Sequence, residues 1–274
     1  MNCISLESYS SSVSEHIVNS SIEHWRIRTT DPTFLTAVTE TLQTADSENL
    51  QVEWLSTSET LKQLEKDFLI ATKISELTAS GRLSIRTTTS EETASPTVLL
   101  NTEKAVSFLP LDGTEAVEMT ITDENISTQL WEKYESEWEM GIPESIDAPP
   151  YSRLLALAEC KLGATASEDI DNAFTAIERR TPGQQPEPVT VGLLVGAKHN
   201  LLLRDVVEWA ETSTLATQGT VSKLKQQLEQ VGVVTTESEN IGVGRPRQRL
   251  LLSNGNYESL AVDELVANVQ TVLA

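Results

Sequence analysis

The segment TQGTVSKLKQQLEQVG (217–232), closely followed by GVGRPRQRLLLS (242–253), decides how the C-terminal third of this chain folds. Val221, Leu224, Leu228 and Val231 fall at i, i+3, i+7 and i+10, a narrow apolar stripe on one helix. Thr217 can cap its start and Gly232 ends it. The opposite face carries Gln218, Thr220, Ser222, Lys223 and Gln226. The one acidic residue, Glu229, comes late in the helix. Short hydroxyl and amide side chains near a helix start fit base edges, and the face sets no carboxylate against phosphate.

Downstream, GVVTTES opens a strand, and Gly242, Gly244 and Pro246 make a tight loop. In the returning strand Leu250 and Leu252 face inward, while Arg247 and Arg249 point the other way. Arg245, Arg247 and Arg249 form a basic hairpin suited to phosphate or minor-groove contact. Upstream, VTVGLLVGAKHN reads as a short apolar helix and LLLRDVVEWAETS (201–213) as a second, with Leu202, Val206 and Trp209 on one side. Helix, helix–turn–helix, strand, basic hairpin and strand predict a winged helix over residues 189–274 that binds double-stranded DNA at promoter operators.

That basic tip stands in an acidic chain. The 274 residues carry 41 acidic and 20 basic groups, a net charge of −21. Residues 185–274 have a net of only −3, and within 219–253 the net is +2. The remaining acids are scattered and lysine is scarce, which fits a protein of a high-salt cytoplasm more readily than an acidic partner-binding tail. In molar salt the Debye length is about 3 Å, so short-range contacts would decide DNA binding.

Towards the N terminus, IEHWRIRT (22–29) and LQVEWLS (50–56) alternate as strands. Asp31-Pro32 opens a helix with Phe34, Leu35, Val38 and Leu42 on its stripe. Ser56 and Glu59 suggest a capping box for a helix through Leu61, Leu64, Phe68, Ile74 and Leu77, stopped at Gly81. Strands over 82–88, 97–103, 105–111 and 115–122 follow, then a helix carrying Ile126, Leu130, Tyr134 and Trp138. The expected fold class is α/β: a mixed α/β sensing or dimerisation domain over 1–140, a helical connector over 151–180, and the winged helix-turn-helix. Breaker-rich GIPESIDAPP (141–150) and TPGQQPEP (181–188) separate them.

Several chemistries find no support. Cys3 and Cys160 lack the spacing of a zinc site or disulfide framework. GLLVGAK (192–198) has the wrong glycine spacing for a phosphate loop. With three histidines and no supporting constellation, no catalytic residue, cofactor or metal is expected. MNCISLESYSSSV has neither the basic nor the apolar part of a signal peptide, and the longest apolar run, 189–197, is too short to span a membrane. A cytoplasmic protein is expected, without membrane contact.

The series VTVGLLVGA–LLLRDVVEWAE–GTVSKLKQQLEQVGVV–VGRPRQRL resembles the C-terminal winged helix of haloarchaeal transcriptional regulators of the TbsP type. The Asp31-Pro32 helix, LQVEWLS and the aromatic closing helix are similar to that family's N-terminal half. The resemblance implies a sequence-specific archaeal regulator of central carbon or sugar metabolism genes. Its sensing domain would be related to those of TrmB-like regulators, whose fold is similar to half a phospholipase D. That enzyme class needs Lys two positions after its nucleophilic His, and none of His16, His24 and His199 has one. Two half-sites per operator predict a homodimer, through the N-terminal sheet or the 151–180 helices. A metabolite effector is compatible with this reading, its binding residues unknown. Trp131, Tyr134 and Trp138 could stack on a sugar, although their helical spacing suits a core or dimer contact. The alternative is an adaptor that reaches promoters by binding another transcription factor through the acidic domain.

Overall fold

The computed structural model describes residues 6–18, 20, 22–45, 49–88, 96–110, 116–178, 186–239 and 246–273. The chain divides into two compact units, 1–147 and 148–274.

In the first unit three parallel strands lie side by side: β1 (His24–Arg28), β2 (Gln51–Ser56) and β3 (Leu83–Thr87). Parallel neighbours need long crossovers. These are α2 (Pro32–Thr44) and the pair α3 (Ser58–Leu64) and α4 (Phe68–Ala79). Strands β4 (Thr97–Leu100), β5 (Ala105–Pro110) and β6 (Ala116–Ile121) then run antiparallel beside β1. The sheet order is β6-β5-β4-β1-β2-β3-β7, where β7 is Ile142–Pro143. The α/β expectation holds, with four differences. A proline-bearing edge strand lies inside the breaker-rich 141–150 stretch, where an edge tolerates proline. The helix expected over 56–80 is two, because Asp67 turns its side chain to the amide of Ile70 and starts α4 afresh. The cap of α3 is Thr57, because Ser56 is buried and donates to the Thr29 carbonyl at 2.7 Å. The N-terminal serine run also hides a helix, α1 (Leu6–Val13), whose Tyr9 and Val13 are buried one turn apart.

Strand alternation sorts the sheet into two faces. Trp25 and Ile27 register with Val52 and Trp54, all fully or nearly buried. On the same side, the rings of Tyr9, Phe34 and Phe108 pack together at 4.9–5.9 Å. The other face carries Arg26 and Arg28 beneath α5 (Glu124–Met140). The aromatic stripe of α5 meets guanidinium groups. Arg26 lies 4.1 Å over Trp131, Arg28 6.0 Å from Tyr134, and Arg86 4.9 Å from Trp138. These rings pack onto charged strands instead of standing open as a stacking platform. His24 approaches Glu53 at 3.5 Å and meets the edge of Trp131.

Glu53 and Glu118 are expected to make this unit acid-sensitive. Burial alone would raise the Glu53 carboxyl, but hydrogen bonds from His24 and Arg26 and the Arg26 charge hold it below its ordinary value of 4.5. Glu118 is likewise pushed up by burial but held low, by hydrogen bonds from Ser12 and His16. A lowered folded pKa gives stability that is present above the unfolded pKa and lost as pH falls through the folded one. Denaturation midpoints measured downward from neutrality should therefore fall below pH 4.5, and Glu53→Gln should flatten part of that slope. An identical slope in the variant would assign the acid loss elsewhere.

The second unit opens with α6 (Tyr151–Leu162) and α7 (Ala164–Glu178), the helices over the 151–180 stretch. They bury Leu154, Ala158, Ile170, Ala173 and Phe174 within this unit, α6 against α9 (Leu203–Thr212) and α7 against α8 (Pro188–Lys198) and the C-terminal helix Val262–Leu273. Among the described residues no helix is long and apolar enough to cross a membrane.

Candidate nucleic-acid interface

Helix α8 is buried along almost its whole length, from Val189 to Ala197. Gly192 and Gly196, one turn apart, let neighbours come close: a Cβ on Gly192 would lie 2.3 Å from the Trp209 ring, and one on Gly196 2.8 Å from Val206. The glycines that fail as a phosphate loop are thus packing positions. Trp209, fully buried on α9, donates its indole N–H to the Leu154 carbonyl at 3.3 Å. This core fixes α9, and α9 in turn positions the next helix.

Helix α10 (Gln218–Gln230) comes after a short turn in which Thr214 takes φ +58°. Thr217 caps it by accepting from the Thr220 amide, and Glu211 of α9 accepts from the Gln218 amide at 3.1 Å. Val221 and Leu228 are buried and Leu224 half-buried, as the stripe predicts. Gln218, Thr220, Lys223 and Gln226 are exposed and Ser222 is half-buried, so all five share the outer face with solvent access. Glu229 is turned aside: Lys225, itself buried, donates to it at 3.0 Å, and so does the Thr236 hydroxyl. The outer face is left without a carboxylate by that internal pair.

The hairpin is β8 (Val234–Glu239) with β9 (Arg247–Leu252), paired from Val234↔Leu252 to Glu239↔Arg247. The stretch before α9 adds a third, short rung, since Leu202 bridges Arg249 and the Leu250 amide donates to the Leu201 carbonyl at 2.9 Å. Leu250 and Leu252 turn inward, as expected from alternation. Arg245, Gly242 and Gly244 lie outside the described residues. Arg247 stands half-buried beside the exposed Gln248. Arg249 differs from its neighbour: it pairs with Glu239 and donates to the Asn200 carbonyl. Its sequence spacing matched that of Arg247, but the carboxylate partner ten residues away was not visible.

Between α9, the start of α10 and the hairpin runs a groove of about 750 Å³, whose lining includes Arg204, Glu208, Glu211, Gln218, Ser222 and Arg247. Arg204 and Glu211 belong to α9 and were not singled out from sequence, because α9 reads there as a packing helix. Lys161 reaches from α6 to Glu208 at 2.5 Å, and that hydrogen bond holds the Glu208 carboxyl below its ordinary value. Among the described residues no cluster of three His, Cys, Asp or Glu could hold a metal.

Helix, tight turn, helix and two-stranded hairpin make a winged helix-turn-helix. Comparison with protein families matches residues 150–270 to the C-terminal HTH domain of TbsP-like transcriptional regulators, and residues 4–149 to the N-terminal domain of the same regulators. The chain belongs to the TbsP-like transcriptional regulators. A comparison with curated proteins gives no match. In this TbsP-like chain the family boundary at 149/150 falls close to the division of the two units at 147/148. As a member of this family it is a DNA-binding transcriptional regulator with a helix-turn-helix.

Proposed function

We propose that this TbsP-like regulator is sequence-specific. In this reading α10 lies in the major groove of promoter operators and reads bases with Gln218, Thr220, Ser222, Lys223 and Gln226. Arg245, Arg247 and Arg249 engage the backbone or adjacent minor groove. The observation that carries the reading is the carboxylate-free outer face of α10 in a chain of net charge −21. Arg247 is the more available of the two described wing arginines, because Arg249 already holds Glu239. Residues 1–140 act as the sensing or dimerisation domain, in a cytoplasmic homodimer, with a metabolite effector controlling DNA release. The 151–180 helices connect that domain to the DNA-binding region of 189–274. The expected genes are those of central carbon or sugar metabolism in a halophilic archaeon, and no catalytic step is assigned.

The test is fluorescence-anisotropy binding of purified protein to a pool of genomic promoter fragments in high potassium chloride. Wild type should select a few fragments. The triple variant Arg245→Ala, Arg247→Ala, Arg249→Ala should bind them at least about tenfold more weakly, with a shallower salt dependence from lost phosphate contacts. Unchanged affinity would remove the wing from the interface. Absence of binding by wild type at any salt would favour the adaptor, acting through a protein partner.

A further inference from the structure

A DNA-reading face that turns Glu229 inward nevertheless keeps a second carboxylate at its edge. Two carboxylates line the groove between α9, α10 and the hairpin. Glu208 is neutralised by Lys161 at 2.5 Å. Glu211 is exposed, and among the described residues no cation pairs with it. Its hydrogen-bond partner is the backbone N–H of Gln218, first residue of α10, at 3.1 Å. That amide end of a 13-residue helix is where unpaired N–H groups and the positive end of the helix dipole collect. Duplex phosphates are drawn to such an end. Here a side chain of the protein already holds it, beside Arg204 and Arg247, which line the same groove.

We propose that Glu211 is a specificity-determining residue of the DNA-reading face: its acceptor oxygen sets the start of α10, and its charge repels phosphate from that helix end. The proposal rests on the reading of α10 and the wing as a DNA face. The two roles separate chemically. The negative charge opposes every duplex, whatever its sequence, because sequence-independent binding is carried by phosphate electrostatics. The hydrogen bond matters only where α10 must sit in one register to meet base edges. A regulator with this residue holds non-selected DNA weakly and relies on base contacts to offset the repulsion at an operator.

Glu211→Gln removes the charge and keeps an acceptor oxygen, whereas Glu211→Ala removes both. The full chain is titrated onto a mixed-sequence duplex and onto the promoter fragments that wild type selects, each over a range of potassium chloride. Both variants should bind the mixed-sequence duplex about three- to tenfold more tightly than wild type, the effect of removing one like charge near a phosphate at a solvated surface. Their log–log salt slopes should steepen by up to about one. On the selected fragments Glu211→Gln should retain wild-type or better affinity, and Glu211→Ala should lose affinity because the Gln218 amide loses its acceptor and the Thr217 cap alone holds the helix start. A merely structural Glu211 would leave the mixed-sequence affinity and salt slope of Glu211→Gln at wild-type values, which overturns the proposal. Equal behaviour of the two variants on selected fragments overturns the anchoring half. Failure of wild type to select any fragment is a different outcome and overturns the DNA reading itself.

Discussion

Gly192→Ala is expected to destabilise the C-terminal unit by about 3 kcal/mol, the upper end of ordinary overpacking, and to abolish DNA binding at temperatures the wild type tolerates. On propensity alone the change should help, since Ala is favoured over Gly in a helix interior by about 1 kcal/mol. Geometry decides otherwise. The new methyl would lie 2.3 Å from Cζ3 of Trp209 and 3.1–3.2 Å from Cε3 and Cη2 of the same ring. That ring cannot easily yield, being fully buried and tethered through its indole N–H to the Leu154 carbonyl. Relief requires α8 and α9 to move apart, and α9 carries Glu211 and so the start of α10. Denaturant unfolding followed by circular dichroism measures the cost. Gly255→Ala is the control, because nothing lies within 4 Å of its added Cβ. Trp209→Phe removes the clashing part of the indole, so the double variant should be more stable than the two single costs add up to, by about 1 kcal/mol or more. A wild-type midpoint for Gly192→Ala would show that the two helices have room to separate.

The clash also marks what could be read from residues alone. The apolar stripe of α10 and the alternation of β9 were legible because each element buries one face, and burial imposes a period on the sequence. Gly192 was legible only as a failed phosphate loop: its reason is a tryptophan seventeen residues on, brought back by the fold. The same distance in sequence hides the partners of charged groups. Arg249 and Arg247 alternate identically, yet Glu239 claims the first. Glu211 reads as an ordinary solvated acid until the turn after α9 brings the Gln218 amide to it. Residues 151–180 read as a helical connector, and nothing in them showed that they pack against α8 and α9. Trp131, Tyr134 and Trp138 showed a helical spacing, but the guanidinium groups above them come from β1 and β3.

Arg26→Ala should therefore be the most damaging single change on the sheet face beneath α5, costing about 3–5 kcal/mol, as when one partner of a buried ion pair is removed. Arg26 is 3% exposed. It donates through Nε to Glu53 at 2.7 Å, approaches the same carboxylate through Nη2 at 2.6 Å, and stacks on Trp131. Its loss leaves Glu53, among the described residues, with only His24, at 3.5 Å, and leaves the Trp131 face uncovered. Arg26→Lys keeps the charge but neither the two-pronged contact nor the flat stacking, so it should be intermediate. The pair is not thereby the source of the unit's stability, since apolar replacement of both partners can be neutral or better. Arg26→Met with Glu53→Leu should accordingly recover most of the loss in denaturant midpoint, and the double variant should also show a weaker acid dependence than wild type. If Arg26→Ala costs less than about 1 kcal/mol, typical of an exposed pair, water reaches Glu53 and α5 is held by its apolar contacts with Val98, Leu100 and Ala105 together with Arg28 and Arg86.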